Sequence, residues 1–301
     1  MQKLLELSAA SYEHPFDKKA LDKVRSLHLL TEITNFIMNW TSIKWRMVEL
    51  EGSCFHVTKD SCPELYKTVK EIGVTLDITN LPQVYTEWSY LINAYATGYK
   101  DMTMIVLNSG TVDLMTDSEL SFVIGHEMGH IKSDHVIYHQ MLWYLSDILA
   151  NVPLAQTISQ PLTVALMYWY RMSEFTADRA GLLACQDIDA AISAITKMAG
   201  IPKKYFPTIN KDMILEQAKE FEEKYSDFLG QSMRTISVLD NSHPWTVMRA
   251  AELIKWVDSG DYERLLKDHA GKICLGCKNP VPIHENECPI CGGHKFSQDS
   301  E

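Results

Sequence analysis

A chain that carries His126-Glu127-Met128-Gly129-His130 directly after an apolar run has little freedom in how it folds around that motif. On an α-helix, histidines four positions apart lie one turn apart and only about 40° around the axis, so both imidazoles can reach one metal ion. Leu120, Phe122, Val123 and Ile124 precede the pair, so the helix reads as buried, and Asp117-Ser118-Glu119 supplies its N-terminal cap signal. Glu127, beside the first histidine, is placed to take a proton from a metal-bound water and pass it to a leaving amine, the arrangement of H-E-x-x-H zinc hydrolases. Gly129 costs about 1 kcal/mol against alanine in a helix interior unless another backbone must come close there. The competing reading is a core helix with two satisfied histidines.

A catalytic zinc takes three protein ligands and leaves a fourth position for water. A metzincin continuation needs glycine at position 133 and histidine at 136, where this chain has Ser133 and Val136. No glutamate lies between Ile131 and Ser173, so Glu174 is the first to follow the motif. It opens Glu174-Phe175-Thr176-Ala177-Asp178, two carboxylates on one helical face. Glu174 is read as the third ligand, and Asp178 as the carboxylate that takes a hydrogen bond from a ligand histidine and fixes its tautomer. Two alternatives stay open: both carboxylates pair with Arg171 and Arg179 on a solvated helix, or Asp134 or Asp147 completes the site. His135 and His139 repeat the i, i+4 spacing without a glutamate in the needed position, and are expected to face solvent or to pack on a helix leaving the site.

With 301 residues and 46% hydrophobic content the chain can bury a full core. A formal charge of −11 argues against nucleic acid as a partner, since phosphate neutralisation wants a basic face. Leu4-Leu5-Glu6-Leu7 is too short and too charged for a secretory h-region, so a cytoplasmic chain is expected. Seven cysteines, four in two C-x-x-C pairs with Cys54, Cys62 and Cys185 scattered, read as metal ligands plus free thiols rather than disulfides. Residues 141 to 170 are unusually apolar, but Asp147, Asn151, Pro153, Gln156, Gln160 and Pro161 interrupt them, so no transmembrane segment is expected. They read as buried helices or a surface-docking face, which leaves peripheral membrane contact open.

Along the chain, residues 17 to 40 show helical spacing of Leu21, Val24, Leu27, Leu30, Ile33, Ile37 and Trp40, the mark of a long amphipathic helix. Ile43 to Val57 reads as strand or irregular chain, and Pro63 opens a helix that ends near Gly73. Segments starting at Pro82, Ile92 and Met102 read as three short strands of a small sheet, whose edge can hold an extended peptide by strand addition. Beyond Ala270, Cys274-x-x-Cys277 and Cys288-Pro-Ile-Cys291 form the two knuckles of a zinc ribbon. A redox dithiol is the competing reading, as is substitution of a thiolate by His284 or His294.

Asn93-Ala94-Tyr95-Ala96-Thr97-Gly98, the segment Leu107 to Gly110, Glu119-Leu120, the histidine motif, Glu174 to Gly181, and His243-Pro244 with Arg249 together resemble the M48 metallopeptidases. That gluzincin family includes bacterial HtpX-like heat-shock proteases and CAAX-processing proteases. The resemblance runs from about residue 50 to 255 and implies a zinc endopeptidase with Asn93 and Ala94 on a substrate-binding edge strand. It further implies that His243 stabilises the tetrahedral oxyanion and that Arg249 supports the site. From the residues alone, His243 in the turn before an amphipathic helix serves equally well as a capping or packing residue.

The expected fold is α+β: a mainly helical gluzincin domain over residues 1–268, with residues 1–60 as helical scaffold and a small β-sheet beside the active helix. A zinc ribbon over 269–296 and a disordered tail over 297–301 follow. Two zinc ions are expected, one catalytic on His126, His130 and Glu174, one structural on Cys274, Cys277, Cys288 and Cys291, with a protein or peptide as substrate. The ribbon is expected to dock a partner or substrate, or to pack on the protease body. The second functional reading is a latched, silent module that binds through the ribbon, with Trp143 to Tyr170 as its lid.

Overall fold

A computed structural model of the chain describes residues 2–25, 42–99, 102–142, 153–226 and 246–298. Helices α1 (Ala9–Tyr12) and α2 (Pro15–Arg25) open it, so the helix expected from residue 17 begins at Pro15, and the remainder of that expectation, residues 26–40, lies outside the described residues. Helix α3 (Ser42–Ser53) replaces the strand or irregular chain expected from Ile43. The helix-favouring run Arg46, Met47, Glu49, Leu50 and Glu51 outweighs the β-branched residues, and the inward side chains Met47 and Leu50 bury against Tyr85, Met104 and Val106. Strand β1 (Phe55–His56) and helix α4 (Pro63–Thr75), with proline in its first turn, follow.

The three expected strands are β2 (Gln83–Glu87), β3 (Ala94–Tyr99) and β4 (Met102–Asn108). They form a mixed sheet in the order β1-β2-β4-β3, with β2 parallel to β4 and β3 antiparallel to it. Central β4 is buried on both faces at Ile105, Val106 and Leu107, whereas β3 is an edge strand. Helix α5 (Ser109–Leu114) leads into the motif helix α6 (Asp117–Lys132). Its cap is Thr116, one residue before the expected signal: Glu119 N–H donates to Thr116 Oγ1 while Thr116 N–H donates to Glu119 Oε2 at 2.7 Å. The reciprocal bonds satisfy two donors that a helix start otherwise leaves orphaned. Every residue from Glu119 to His130 is buried, as an all-round apolar helix requires.

Helix α7 (Pro153–Cys185) is 33 residues long, roughly 50 Å at 1.5 Å per residue, and contains Pro161. It packs antiparallel along α6 at very close range. A Cβ added to Gly125 would fall 2.2 Å from the Ala184 Cβ, and one added to Gly129 would fall 2.5 Å from the Ala180 Cβ. The expectation that another backbone approaches Gly129 is therefore met by α7. Helices α8 (Ile188–Met198), α9 (Lys211–Lys224), α10 (Thr246–Asp258) and α11 (Asp261–Asp268) complete the body. The core runs from Ile105 and Leu107 of the sheet through Phe122, Ile124 and Met128 to Leu182, Leu183, Ile192 and Ile195.

Strands β5 (Gly271–Cys274), β6 (Pro280–Pro282) and β7 (Phe296–Gln298) make a second sheet with β5 in the middle. Ser297 and Gln298, expected in the disordered tail, pair with Ile273 and Lys272, because β7 supplies the ribbon's third strand. The ribbon is tied to the chain's beginning: Leu4 bridges Ala270, and Leu5 N–H donates to the His269 carbonyl at 2.9 Å. Its apolar interior is little more than Cys274, Val281 and Cys288, too small to hold a fold by burial alone.

Candidate active site

The antiparallel crossing of α6 and α7 sets the site. Because chain order reverses across the contact, His126 faces Asp178 and His130 faces Glu174. Nδ1 of His126 donates to Asp178 Oδ1 at 3.0 Å, leaving Nε2 bare; that atom stands 3.1 Å from Nε2 of His130 and 3.7 Å from a Glu174 oxygen. His130 Nε2 lies 3.3 Å from the other Glu174 oxygen. All of these residues are at most 4% exposed.

This donor set fits a tetrahedral cation. Zinc–nitrogen bonds of 2.0–2.1 Å imply ligand-to-ligand edges of roughly 3.3 Å, close to the spacings found. The charge also suits a cation: the carboxylates of Glu127, Glu174 and Asp178 all act on the guanidinium of Arg249, a concentration of negative charge that a divalent ion would offset.

Arg249 reaches the site from α10. Its Nε and Nη2 donate to the two oxygens of Asp178 at 2.7 and 2.6 Å, and its Nη1 lies 3.0 Å from Glu174. Burial opposes the ionisation of Asp178, but the Arg249 charge and hydrogen bonds hold its carboxyl below the ordinary value. Burial also opposes a charged Arg249, yet Asp178 and Glu174 raise its pKa further. The two ligand rings diverge: burial pushes His130 down to about 4, while in His126 the Asp178 bond and the Glu174 charge overcome burial and raise it. A neutral imidazole is the form a metal accepts.

A narrow cleft beside these groups is lined by Asn93, Ala94, Val123, His126, Glu127, Met198 and Arg249. Asn93 and Ala94 thus lie where edge strand β3 meets the site. Thr111 fixes this end of the strand, accepting from Asn93 N–H at 2.8 Å and donating to its carbonyl at 2.7 Å.

Several readings of the sequence change here. The solvated-helix alternative fails, because Glu174 and Asp178 are buried and their cation is Arg249 rather than Arg171 or Arg179. Asp134 is exposed at a left-handed turn after α6 and is outside the group of converging donors; Asp147 lies outside the described residues. His135 is not solvent-facing: it is 2% exposed, with Nδ1 3.0 Å from Nδ1 of His130. No helical spacing marks it, because α6 ends at Lys132 and the left-handed turn at Asp134 brings His135 back onto the His130 ring. His139 is also turned inward, with Nε2 3.0 Å from Ser173 Oγ, and burial lowers its pKa strongly. His243 and residues 143–152 of the expected lid lie outside the described residues, and residues 153–170 continue into the helix that carries Glu174.

In the ribbon, Cys274 and Cys291 sulfurs are 3.5 Å apart and those of Cys277 and Cys288 3.6 Å. These spacings exceed a disulfide bond and approach the roughly 3.75 Å edge of a tetrahedral zinc–thiolate site. Hydrogen bonds from Asn279 bring the Cys277 thiol down to about 6, favouring the thiolate. His284 and His294 are outside this sulfur cluster.

Two helix-borne histidines with an intervening glutamate, closed by a glutamate from a second helix, make this a gluzincin-type metallopeptidase. The chain belongs to peptidase family M48, whose family model matches residues 62–257. It is 31% identical over 264 residues to a plastoglobule-localized metallopeptidase 48, chloroplastic, of Arabidopsis thaliana, covering 87% of this chain and 76% of that one. It is 25% identical over 259 residues to a protease HtpX homolog of Ralstonia nicotianae, covering 76% and 85% respectively. No solved structure gives a significant match. Relatives named as peptidases do not favour the silent-module reading. Among the described residues no helix is long and apolar enough to cross a membrane.

Proposed function

We propose that this protein is a zinc-dependent endopeptidase that cleaves peptide bonds in protein or peptide substrates. The observation that carries the reading is the convergence of His126, His130 and Glu174 donor atoms, all within 4.8 Å of one another, beside Glu127 in the cleft. When bound there, zinc would supply Lewis acidity to a water and to the scissile carbonyl. Glu127 takes the water proton and returns it to the leaving amine, and its burial keeps bulk water from competing for that proton. An extended substrate adds to edge strand β3 from Ala94 onward, beside Asn93, which lays its backbone across the cleft. Arg249 and Asp178 hold the ligand rings in place, and His243 is the proposed donor to the oxyanion.

The four ribbon cysteines are proposed to hold a second, structural zinc, with the body over 1–268 as catalytic unit and the ribbon as docking module for substrate or partner. Seven unpaired cysteines fit a reducing compartment, and the cytoplasm is the one proposed.

Casein digestion tests the mechanism. Glu127→Gln is expected to lower cleavage at least about 100-fold with zinc still bound, in keeping with loss of a general base. Wild-type rates in that variant would reject it.

A further inference from the structure

The His126 ring has its carboxylate in Asp178, but the His130 ring is served differently. Its Nδ1 meets Nδ1 of His135 at 3.0 Å, and His135 Nε2 in turn meets Asp17 Oδ2 at 3.1 Å. Asp17 belongs to α2, far outside the region matched by the family model. It is fully buried at 0% exposed, and its oxygens also accept from Trp169 Nε1 at 2.8 Å and Thr176 Oγ1 at 2.6 Å.

Proton bookkeeping along this line has one consistent solution for neutral rings. A carboxylate only accepts, so His135 must donate from Nε2. Its Nδ1 then carries a lone pair, so His130 must donate from Nδ1. Nε2 of His130 is left without a proton and faces the bare Nε2 of His126 at 3.1 Å and a Glu174 oxygen at 3.3 Å, three acceptors that a cation between them reconciles. The opposite tautomer would set two lone pairs against each other at 3.0 Å and point an N–H where a cation has to sit.

We propose that Asp17, acting through His135, is a positioning residue for the metal centre: it fixes the proton on Nδ1 of His130 and so presents Nε2 to zinc. The N-terminal helix thereby completes a site whose ligands all lie in the M48 region. The relay rests on the metal-site reading above, since it serves a ligand assigned there.

Zinc affinity of the full chain, measured by chelator competition, tests it, with Glu174→Gln marking which of the bound ions belongs to the protease site. Asp17→Asn replaces one acceptor by a donor and is expected to weaken that ion 10- to 100-fold, the usual effect of losing an outer-sphere partner, with the ribbon ion unchanged. Nitrogen NMR of the zinc-loaded protein should show a hydrogen-bonded Nδ1 proton on His130 that is protected from solvent exchange in the wild type and exchanges faster in Asp17→Asn. Should that variant fail to fold, position 135 decides. His135→Gln can still donate to Asp17 and accept from His130, and should bind zinc at least about tenfold more tightly than His135→Leu. Equal affinities in the glutamine and leucine variants, or wild-type affinity in Asp17→Asn, overturn the relay. A wild-type chain with no ion sensitive to Glu174→Gln overturns the metal-site reading itself, and the relay with it.

Discussion

Gly129 and Ala180 touch where the two ligand-bearing helices cross, so closely that a methyl group on Gly129 would lie 2.5 Å from the Ala180 Cβ. The contact holds α6 and α7 at the separation that lets His130 and Glu174 share one ion. Gly129→Ala gains about 1 kcal/mol of helix propensity but overpacks the crossing by about 2–3 kcal/mol. A net loss of about 1–2 kcal/mol in urea unfolding, with weakened zinc uptake, is expected. Unchanged stability and uptake would show that the crossing tolerates a wider gap.

Arg249 pairs with two buried carboxylates, those of Asp178 and Glu174. Arg249→Met removes this cation from Asp178 and Glu174 and should destabilise the metal-free protein by about 3–5 kcal/mol. Zinc should recover part of that loss, because a divalent ion replaces the missing charge. Thermal unfolding with and without zinc measures both effects, and a metal-free midpoint equal to wild type would refute the assignment.

Glu119 links the start of α6 to α8 through Lys197 Nζ at 2.6 Å, both side chains being 4% exposed. Burial works against its ionisation, but hydrogen bonds from Lys197, Ser193 and the Thr116 N–H hold its carboxyl below the ordinary 4.5. A depressed folded value contributes stability above the unfolded pKa and loses it as pH falls through the folded one. Wild-type stability should therefore drop as pH falls below about 4.5, on this group's account, and Glu119→Gln, which preserves the cap, should flatten that limb. Urea midpoints from pH 6 to pH 3 give the comparison; parallel curves would exclude Glu119 as the source.

The ribbon's sulfur cluster predicts the metal count. Elemental analysis should give two zinc ions per chain, and one for Cys277→Ser combined with Cys288→Ser, with the ribbon unfolded and the body intact. Cleavage of a short peptide should survive this change while cleavage of a folded-protein substrate falls. Loss of both metals would mean that the two sites are not independent.

Much of the centre follows from local chemistry. Spacing along one helix fixes the shared face of His126 and His130, and the same rule places Glu174 one turn from Asp178. Residues 83–108 break into short β-prone runs separated by turns, and paired C-x-x-C knuckles announce a ribbon whatever surrounds them. Local pattern fails where two segments compete for a partner. Thr116 rather than Asp117 caps α6 because Glu119 folds back on it, and residues 42–53 form a helix because Met47 and Leu50 find the underside of the sheet.

The sequence by itself determined which side chains could hold a metal and on which helices they ride, since those relations span four or five residues of regular backbone. Only the tertiary structure decided that His135 turns inward and that Asp17, 113 positions before His130, closes its line of hydrogen bonds. Burial is the physical reason. Once α2 and α7 cover the end of the motif helix, every polar atom trapped there must be satisfied by whatever the packing brings within reach, and no periodicity along the chain records that neighbour.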